Sequence, residues 1–190
     1  NPYEGERKSG TVGVPLPDVT VRIRDIETRK LMEIGSVGSI EVKGPNVFSG
    51  YWKMEERAKD DFHDDGFFIT GDLGFFDSAG YLNISGRDKD LIISGGLNVY
   101  PAEVERVIDA LPQVGESALI GIPHPDFGEG VTAVITLSNR QTTINEQDLR
   151  NRIRDQLASF KVPLKIRVKD QLPKNAMGKI QKNLLRTEFE

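Results

Sequence analysis

The segment Pro173-Lys174-Asn175-Ala176-Met177-Gly178-Lys179 is the most informative stretch of this sequence. It places a lysine directly after a loop that contains Pro and Gly, so that a mobile ammonium group can reach a polyanion bound elsewhere. Taken alone, a lysine beside a Gly is most often a solvated surface residue. The segment gains weight because three upstream segments that suit nucleotide chemistry precede it in a fixed order: Thr70-Gly71-Asp72, Gly86-Arg87-Asp88-Lys89-Asp90 and Gly95-Gly96-Leu97-Asn98.

Together these segments resemble the C-terminal part of the adenylate-forming enzymes, a superfamily of acyl-CoA synthetases, peptide-synthetase adenylation domains and luciferases. The resemblance begins at Gly50-Tyr51-Trp52, continues through residues 66–72 and ends at Gly178-Lys179. Within the superfamily the sequence looks most similar to malonyl-CoA synthetases. Four stretches carry that likeness: residues 44–48, 98–101, 123–131 and 177–183.

The resemblance implies a reaction in two steps. A small-molecule carboxylic acid attacks the α-phosphate of ATP to give an acyl-adenylate and pyrophosphate, and the thiol of CoA then attacks the acyl carbonyl and releases AMP. Both steps depend on charge and positioning and need no protein nucleophile, which agrees with a sequence that has no cysteine. Mg²⁺ is expected to arrive with ATP, with its protein ligands outside this sequence.

For the first step, the resemblance implies that Lys179 is the catalytic residue that reaches the α-phosphate and the attacking carboxylate. It implies that Asp72 binds ATP through the ribose, since a carboxylate accepts hydrogen bonds from both ribose hydroxyls. Arg87 matches a second nucleotide contact, with a guanidinium that is always charged. The pattern also predicts that Asp72 ends a strand at a Gly turn, so that its carboxylate projects from the sheet edge. A simple turn-forming Asp is the alternative.

For the second step, the resemblance assigns Gly95 and Gly96 to the pantetheine arm of CoA, because Gly lets backbone N–H groups approach a ligand closely. A plain hairpin turn would explain the two glycines about as well. Asn98 matches a position where the family often has a polar residue near the ATP phosphates. Lys89 matches the interdomain hinge of the family, although its charged surroundings could also form an ordinary β-turn.

The predicted fold class is α+β, in two domains. Residues 1–86 are expected to form a small antiparallel β-subdomain at the end of a large N-terminal domain. Residues 87–190 are expected to form a mobile, compact α+β C-terminal domain with a three-stranded sheet, packed helices and a β-hairpin. Pro101 suits the first position of a helix, Asn145 suits a helix cap, and Trp52 is expected in a core. The other predicted elements are strands at 18–24, 39–43, 66–69, 80–84, 90–94, 118–122, 131–137 and 165–168, and helices at 54–62 and 181–189.

Composition excludes several functions. The absence of cysteine excludes disulfides and cysteine-ligated zinc, and His63 and His124 are too far apart in sequence to suggest a metal site. Within a net charge of −4, residues 150–190 hold eleven Lys and Arg against four Asp and Glu. This basic stretch could attract phosphates or be a solvated helix face, and it lacks the interleaved aromatics typical of nucleic-acid binding. No apolar run is long enough to span a bilayer, and a cytoplasmic location is expected.

The phosphate-binding loop that family members carry in their N-terminal domain does not occur in this sequence. We therefore expect a part of a larger enzyme, inactive by itself and dependent on that missing domain. The alternatives are a fatty- or aromatic-acid CoA ligase, an enzyme that passes the acyl group to a carrier-protein thiol, and a non-catalytic binding or regulatory module. The Pro-x-x-x-x-Gly-Lys segment also resembles sites of protein lysine acetyltransferases, and acetylation would remove the charge of Lys179.

Overall fold

The computed structural model describes residues 1–53, 60–139 and 144–189. The chain divides into two compact units, Asn1–Lys89 and Asp90–Glu190. Each unit has its own β-sheet and its own apolar core. The predicted α+β class is confirmed, with antiparallel strands in the first unit and a mixture of strands and helices in the second.

Four strands in the described part of the first unit form one antiparallel sheet. The apolar and polar alternation that predicted the first two strands arises because one face of this sheet is buried. Ile23 and Ile40 stand opposite each other on that face and pack with Leu82. In chain order, which is also the order in the sheet, the strands are β1 (Thr20–Arg24), β2 (Gly38–Lys43), β3 (Phe68–Phe76) and β4 (Leu82–Arg87).

A buried carboxylate joins β1 and β2 of the first unit to the segment before β3. The side chain of Glu41 is fully buried, with Nε of Arg22 at 2.5 Å and Nε2 of His63 at 2.7 Å from its two oxygens. Such partners are needed because an unpaired buried charge is costly. Arg22 also contacts Asp65 at 2.5 Å. This hydrogen bond from a cation favours the ionised carboxylate and lowers the pKa of Asp65.

Two predictions for the segment before β3 have different outcomes. The helix predicted over residues 54–62 falls mainly on residues 54–59, which lie outside the described residues. The prediction that Trp52 is a core residue is wrong, because its side chain is 87% exposed. Trp52 lies in a turn, next to Lys53 with a φ of +57°, and this turn carries the ring away from the core.

The second unit is built on a long antiparallel hairpin, which pairs over almost the whole length of its two strands. A third strand pairs with it in parallel, and a short hairpin joins it through the Ser94–Gly128 pair. The three predicted strands and the predicted β-hairpin are therefore present, and together they form one five-stranded sheet. The long hairpin consists of β7 (Val114–His124) and β8 (Gly128–Leu137), the parallel strand is β9 (Lys165–Val168), and the short hairpin consists of β5 (Ile92–Ser94) and β6 (Leu97–Val99).

Helices cover both faces of this sheet. Pro101 begins the first of them, and Val104 and Ile108 are fully buried at the spacing that predicted its apolar face. Asn145 caps the second as predicted, since its side chain accepts two backbone N–H groups of the first turn at 2.9 and 3.3 Å. The helices α1 (Pro101–Asp109) and α2 (Glu146–Arg154) pack on one face, and α3 (Lys182–Phe189) packs on the other.

Candidate functional site

The segment Thr70-Gly71-Asp72 forms a bulge in the middle of β3. Its three residues lie opposite the single residue Ile40 of β2, with regular pairing on either side. Gly71 has a φ of +70°, a conformation that favours glycine. The Thr70 hydroxyl donates to the Ile40 carbonyl at 2.8 Å and accepts the Asp72 N–H at 3.0 Å. The bulge therefore fixes the local backbone and directs the side chain of Asp72.

Asp72 and Arg87 stand opposite each other on β3 and β4. Nε of Arg87 lies 2.8 Å from Oδ1 of Asp72, and the two side chains are 50% and 27% exposed respectively. Arg87 also donates to the Thr70 carbonyl at 3.3 Å. The prediction that Asp72 ends a strand at the sheet edge is wrong. β3 is an inner strand that continues to Phe76, because the bulge accommodates the positive φ of Gly71 without ending the pairing.

Lys89 lies in the 3₁₀ turn Asp88–Asp90, where the first unit ends, and its side chain is exposed. The next residue, Asp90, belongs to the second unit. It is held there by Arg186 of α3, whose Nη2 lies 2.9 Å from the Asp90 carboxylate. On the side of the second unit, the chain is therefore anchored one residue after Lys89.

Gly95 and Gly96 form the two-residue turn between β5 and β6, with φ values of +59° and +76°. Two successive positive φ values are those of a type I′ hairpin turn. A Cβ built on Gly96 would meet no atom within 4 Å, so the backbone conformation alone, and not crowding, requires glycine there. The Gly95 N–H donates to the Phe127 carbonyl at 2.8 Å. Asn98 follows on β6 and is exposed.

An apolar recess of about 290 Å³ lies beside this turn, and Gly95 forms part of its wall. Sequence reasoning missed the two aromatic residues of the recess, Phe127 and Phe160. The only sequence signal was that Phe127 lies within residues 123–131, a stretch that resembles the family. Phe160 is far from it in sequence, so no spacing pattern indicated that the two rings share a recess. The other residues that line the recess are Ser94, Leu97, Ser159, Val162 and Leu164.

Lys179 lies in an exposed loop that Asn175 organises. The side-chain oxygen of Asn175 accepts the N–H groups of Met177 at 3.0 Å and of Lys179 at 2.9 Å, and the Asn175 N–H donates to the Lys179 carbonyl at 2.9 Å. Lys174 pairs with Glu116 of β7 at 2.5 Å and holds the base of the loop. Within the part of the chain that the structure describes, no carboxylate forms an ion pair with the Lys179 ammonium group.

The loop closed by the Lys174–Ile180 bridge (the Lys179 loop) and the two-residue turn Gly95-Gly96 (the glycine turn) lie at opposite ends of the β7–β8 hairpin. Lys174 of the loop contacts Glu116 near the start of β7, whereas Gly95 contacts Phe127 just beyond the end of that strand. A strand rises about 3.3 Å per residue, so the stretch from Glu116 to the strand end spans roughly 26 Å. The structure thus pairs Asp72 with Arg87 but keeps Lys179 apart from the glycine turn.

Within residues 1–53, 60–139 and 144–189, no group of three or more His, Asp or Glu side chains could hold a metal ion. Binding of Mg²⁺ together with ATP stays a prediction, with its protein ligands expected outside this sequence. None of the helices in the same ranges has both the length and the apolar composition needed to cross a membrane.

Two sequence profiles of one enzyme family match this chain. The AMP-binding enzyme profile matches residues 1–52, and the profile of the AMP-binding enzyme C-terminal domain matches residues 103–179. The chain therefore belongs to the adenylate-forming AMP-binding enzymes and corresponds to their C-terminal part.

Individual relatives agree with this family. A long-chain-fatty-acid–CoA ligase of Yersinia pestis is 39% identical over 99% of this chain, and a malonate–CoA ligase of Arabidopsis thaliana is 36% identical over all of it. The crystal structure of ATP-bound MatB from Rhodopseudomonas palustris superposes on the whole chain with a TM-score of 0.92 and 56% identity. The chain spans 33%, 32% and 37% of these three proteins, about a third of their length.

Proposed function

We propose that this chain is the C-terminal part of an AMP-forming acyl-CoA synthetase, which couples a carboxylic acid to CoA while ATP is cleaved to AMP and pyrophosphate. The main support for this proposal is the environment of the Lys179 side chain. Its ammonium group is exposed, and it forms no ion pair with any described residue, while the backbone that carries it is held in place by Asn175. A cation in this condition is suited to bind an anionic substrate.

In the first half-reaction, Lys179 binds the α-phosphate of ATP and the attacking carboxylate. Negative charge builds up on the phosphoryl oxygens as the carboxylate attacks, and a cation already in place stabilises that charge. Loss of one such preorganised donor costs about 3–4 kcal/mol of barrier. At one factor of ten per 1.36 kcal/mol, this cost corresponds to a rate decrease of roughly 10²- to 10³-fold.

The Asp72–Arg87 pair binds the nucleotide in the same step. Arg87 contacts Oδ1 of Asp72, and no hydrogen bond to Oδ2 is found among the described residues, so that Oδ2 can accept ribose hydroxyls. Arg87 offers further N–H donors to ATP. The pair is partly exposed, which leaves room for a ligand, and the hydrogen bond of Arg87 to the Thr70 carbonyl holds its guanidinium against the bulge.

In the second half-reaction, the glycine turn receives the pantetheine arm of CoA. The absence of side chains at Gly95 and Gly96 lets an extended thiol arm lie against the backbone. The adjacent recess, with Phe127 and Phe160 in its wall, offers apolar surface to the aliphatic part of the arm. Asn98, exposed on β6, remains a proposed contact to the ATP phosphates.

The two half-reactions use opposite ends of the second unit. The Lys179 loop contacts β7 near its start and the glycine turn contacts the chain just beyond its end, with roughly 26 Å of strand between the two contacts, so we do not expect both to face one bound acyl-adenylate. We therefore propose that the second unit turns between the two steps about Lys89, the exposed residue at the boundary of the units. The anchoring of Asp90 by Arg186 supports a change of torsion angles that is confined to Lys89 and its preceding neighbours.

Malonate is the acid we propose. The support is the sequence resemblance to malonyl-CoA synthetases and the match of the whole chain to the malonate–CoA ligase of Arabidopsis thaliana. A long-chain fatty acid is the second candidate, because the Yersinia pestis long-chain-fatty-acid–CoA ligase is similar to the same degree. Free CoA is the proposed acceptor, since the relatives from Yersinia pestis and Arabidopsis thaliana are both named CoA ligases.

Assays of the full-length enzyme test this function. AMP and acyl-CoA formation are measured with ATP, CoA, Mg²⁺ and either malonate, a long-chain fatty acid or an aromatic acid. Lys179→Ala should decrease pyrophosphate release roughly 10²- to 10³-fold while sparing thioester formation from supplied acyl-adenylate. Lys30→Ala, which removes an exposed lysine of the first unit, is the matched control and should keep both rates. An enzyme that forms no acyl-CoA from any of these acids would favour a non-catalytic module.

Regulation by acetylation is a further part of the proposal. The ammonium group of Lys179 is exposed and would be accessible to a protein lysine acetyltransferase, and acetylation would remove the charge used in the first step. Enzyme that carries acetyl-lysine at position 179 should release pyrophosphate as slowly as the Lys179→Ala variant. Undiminished adenylation by the acetylated enzyme would contradict this regulation.

A further inference from the structure

The base and the tip of the Lys179 loop are held by different interactions. At the base, Lys174 pairs with Ile180 in a β-bridge, the Gln181 N–H donates to the Pro173 carbonyl at 2.8 Å, and Lys174 forms its ion pair with Glu116. These contacts do not involve the side chain of Asn175. They would keep the loop closed at its base if that side chain were absent.

The tip of the loop depends on Asn175. Gly178 has a φ of +78°, and among the described residues no atom lies within 4 Å of a Cβ built on it, so this side of the loop backbone is not packed against a neighbour. Asn175 contributes the restraint. Its side-chain oxygen binds the N–H groups of Met177 and Lys179, and its backbone carbonyl accepts the N–H of Gly178 at 2.9 Å.

The contacts of Asn175 flank the Cα atom of Lys179 on both sides. The N–H group of Lys179 binds the side chain of Asn175, and the carbonyl of Lys179 binds its backbone N–H, both at 2.9 Å. With both peptide groups held, the direction of the Cα–Cβ bond of Lys179 is determined. The long lysine side chain then begins from a fixed point, which reduces the number of directions that its ammonium group samples.

From this geometry we infer that Asn175 is a positioning residue for Lys179. Its side-chain amide fixes the backbone from which the lysine reaches the α-phosphate and the carboxylate, and it touches neither substrate. The inference rests on the proposed function of Lys179 in the first half-reaction. It predicts that loss of the amide affects adenylation alone, because thioester formation does not use this lysine.

The test uses three substitutions of Asn175 and Lys179 in the full-length enzyme. Asn175→Ala removes both side-chain hydrogen bonds, and we expect kcat for pyrophosphate release to fall roughly 10- to 100-fold, with KM for ATP changed less than about twofold. Asn175→Ser keeps a weaker acceptor at this position and should give an intermediate rate. Lys179→Ala is measured in parallel, and thioester formation from supplied acyl-adenylate is measured for all variants.

Two control variants separate positioning from general loss of structure. Met177→Ala changes a side chain of the same loop that is 77% exposed. Asn183→Ala removes an exposed asparagine of α3 whose side chain makes no hydrogen bond to the described residues. Both should keep wild-type adenylation and the wild-type melting temperature, because their side chains are exposed.

Each outcome decides the inference. Selective loss of adenylation in Asn175→Ala, partly restored in Asn175→Ser, supports it. Wild-type adenylation by Asn175→Ala, beside an inactive Lys179→Ala, overturns the positioning role and leaves the function of Lys179 intact. Equal losses in both half-reactions overturn it as well, since they indicate general loss of structure. Adenylation by Lys179→Ala at the wild-type rate refutes both the proposed function and this inference.

Discussion

The substitution Gly96→Ala tests whether the glycine turn binds CoA. Its effect on the free energy of unfolding can be worked out from the structure. It adds one methyl group where φ is +76° and where no atom lies within 4 Å of the new Cβ. The cost is therefore that of the left-handed backbone alone, about 1–2 kcal/mol of unfolding free energy. Gly80→Ala adds the same group at a φ of +81°, in the turn before β4, again with no atom within 4 Å. The two variants should be destabilised equally.

Their catalytic effects should differ. If the pantetheine arm lies against the backbone of the turn, the methyl group on Gly96 displaces it, and a displacement of about 1 Å can cost roughly 100-fold in rate. Full-length variants are assayed for pyrophosphate release and for acyl-CoA formation from supplied acyl-adenylate. We expect Gly96→Ala to lose only the second activity and Gly80→Ala to keep both. Equal thioester rates in the two variants would refute the assignment of the turn to CoA.

Three further predictions concern the hinge, the nucleotide pair and the ionic network. Lys89→Pro fixes φ near −65°, which lies in the 3₁₀ range, so pyrophosphate release should persist while acyl-CoA formation falls roughly 100-fold or more; wild-type rates for both would show that Lys89 is not the hinge. Asp72→Asn should raise KM for ATP roughly tenfold with little loss of stability, because its ion pair with Arg87 is partly exposed; an unchanged KM would exclude Asp72 from ATP binding. The lowered pKa of Asp65 beside Arg22 stabilises the fold above the unfolded-state pKa, about 3.9, and this contribution is lost as pH falls through the folded-state pKa. The melting temperature of the wild type should therefore be higher than that of Asp65→Asn at pH 7, and this difference should decrease toward pH 3. A difference in melting temperature that persists at low pH would contradict this linkage.

Local sequence signals predicted most of the secondary structure. The alternation in β1 and β2 is visible in sequence because each strand buries one face. Pro101 and Asn145 mark helix starts because a fixed φ and a side-chain cap act within three or four residues. The segment around Asp72 differed from its prediction. A glycine in the sequence is typical of a turn, but the positive φ of Gly71 forms a bulge here because the strands on both sides continue to pair.

The sequence by itself determined the family, the α+β class and the identity of the candidate residues, because motifs, caps and strand periodicity are local patterns. Only the tertiary structure decided which of those residues meet. Asp72 and Arg87 form an ion pair because the register of β3 and β4 places them opposite each other. The loops that carry Lys179 and Gly96 contact opposite ends of the β7–β8 hairpin, although both residues are in the same unit. Strand register follows from the burial of whole sheet faces and from turn geometry, which involve residues distant in sequence and therefore leave no mark in any single motif.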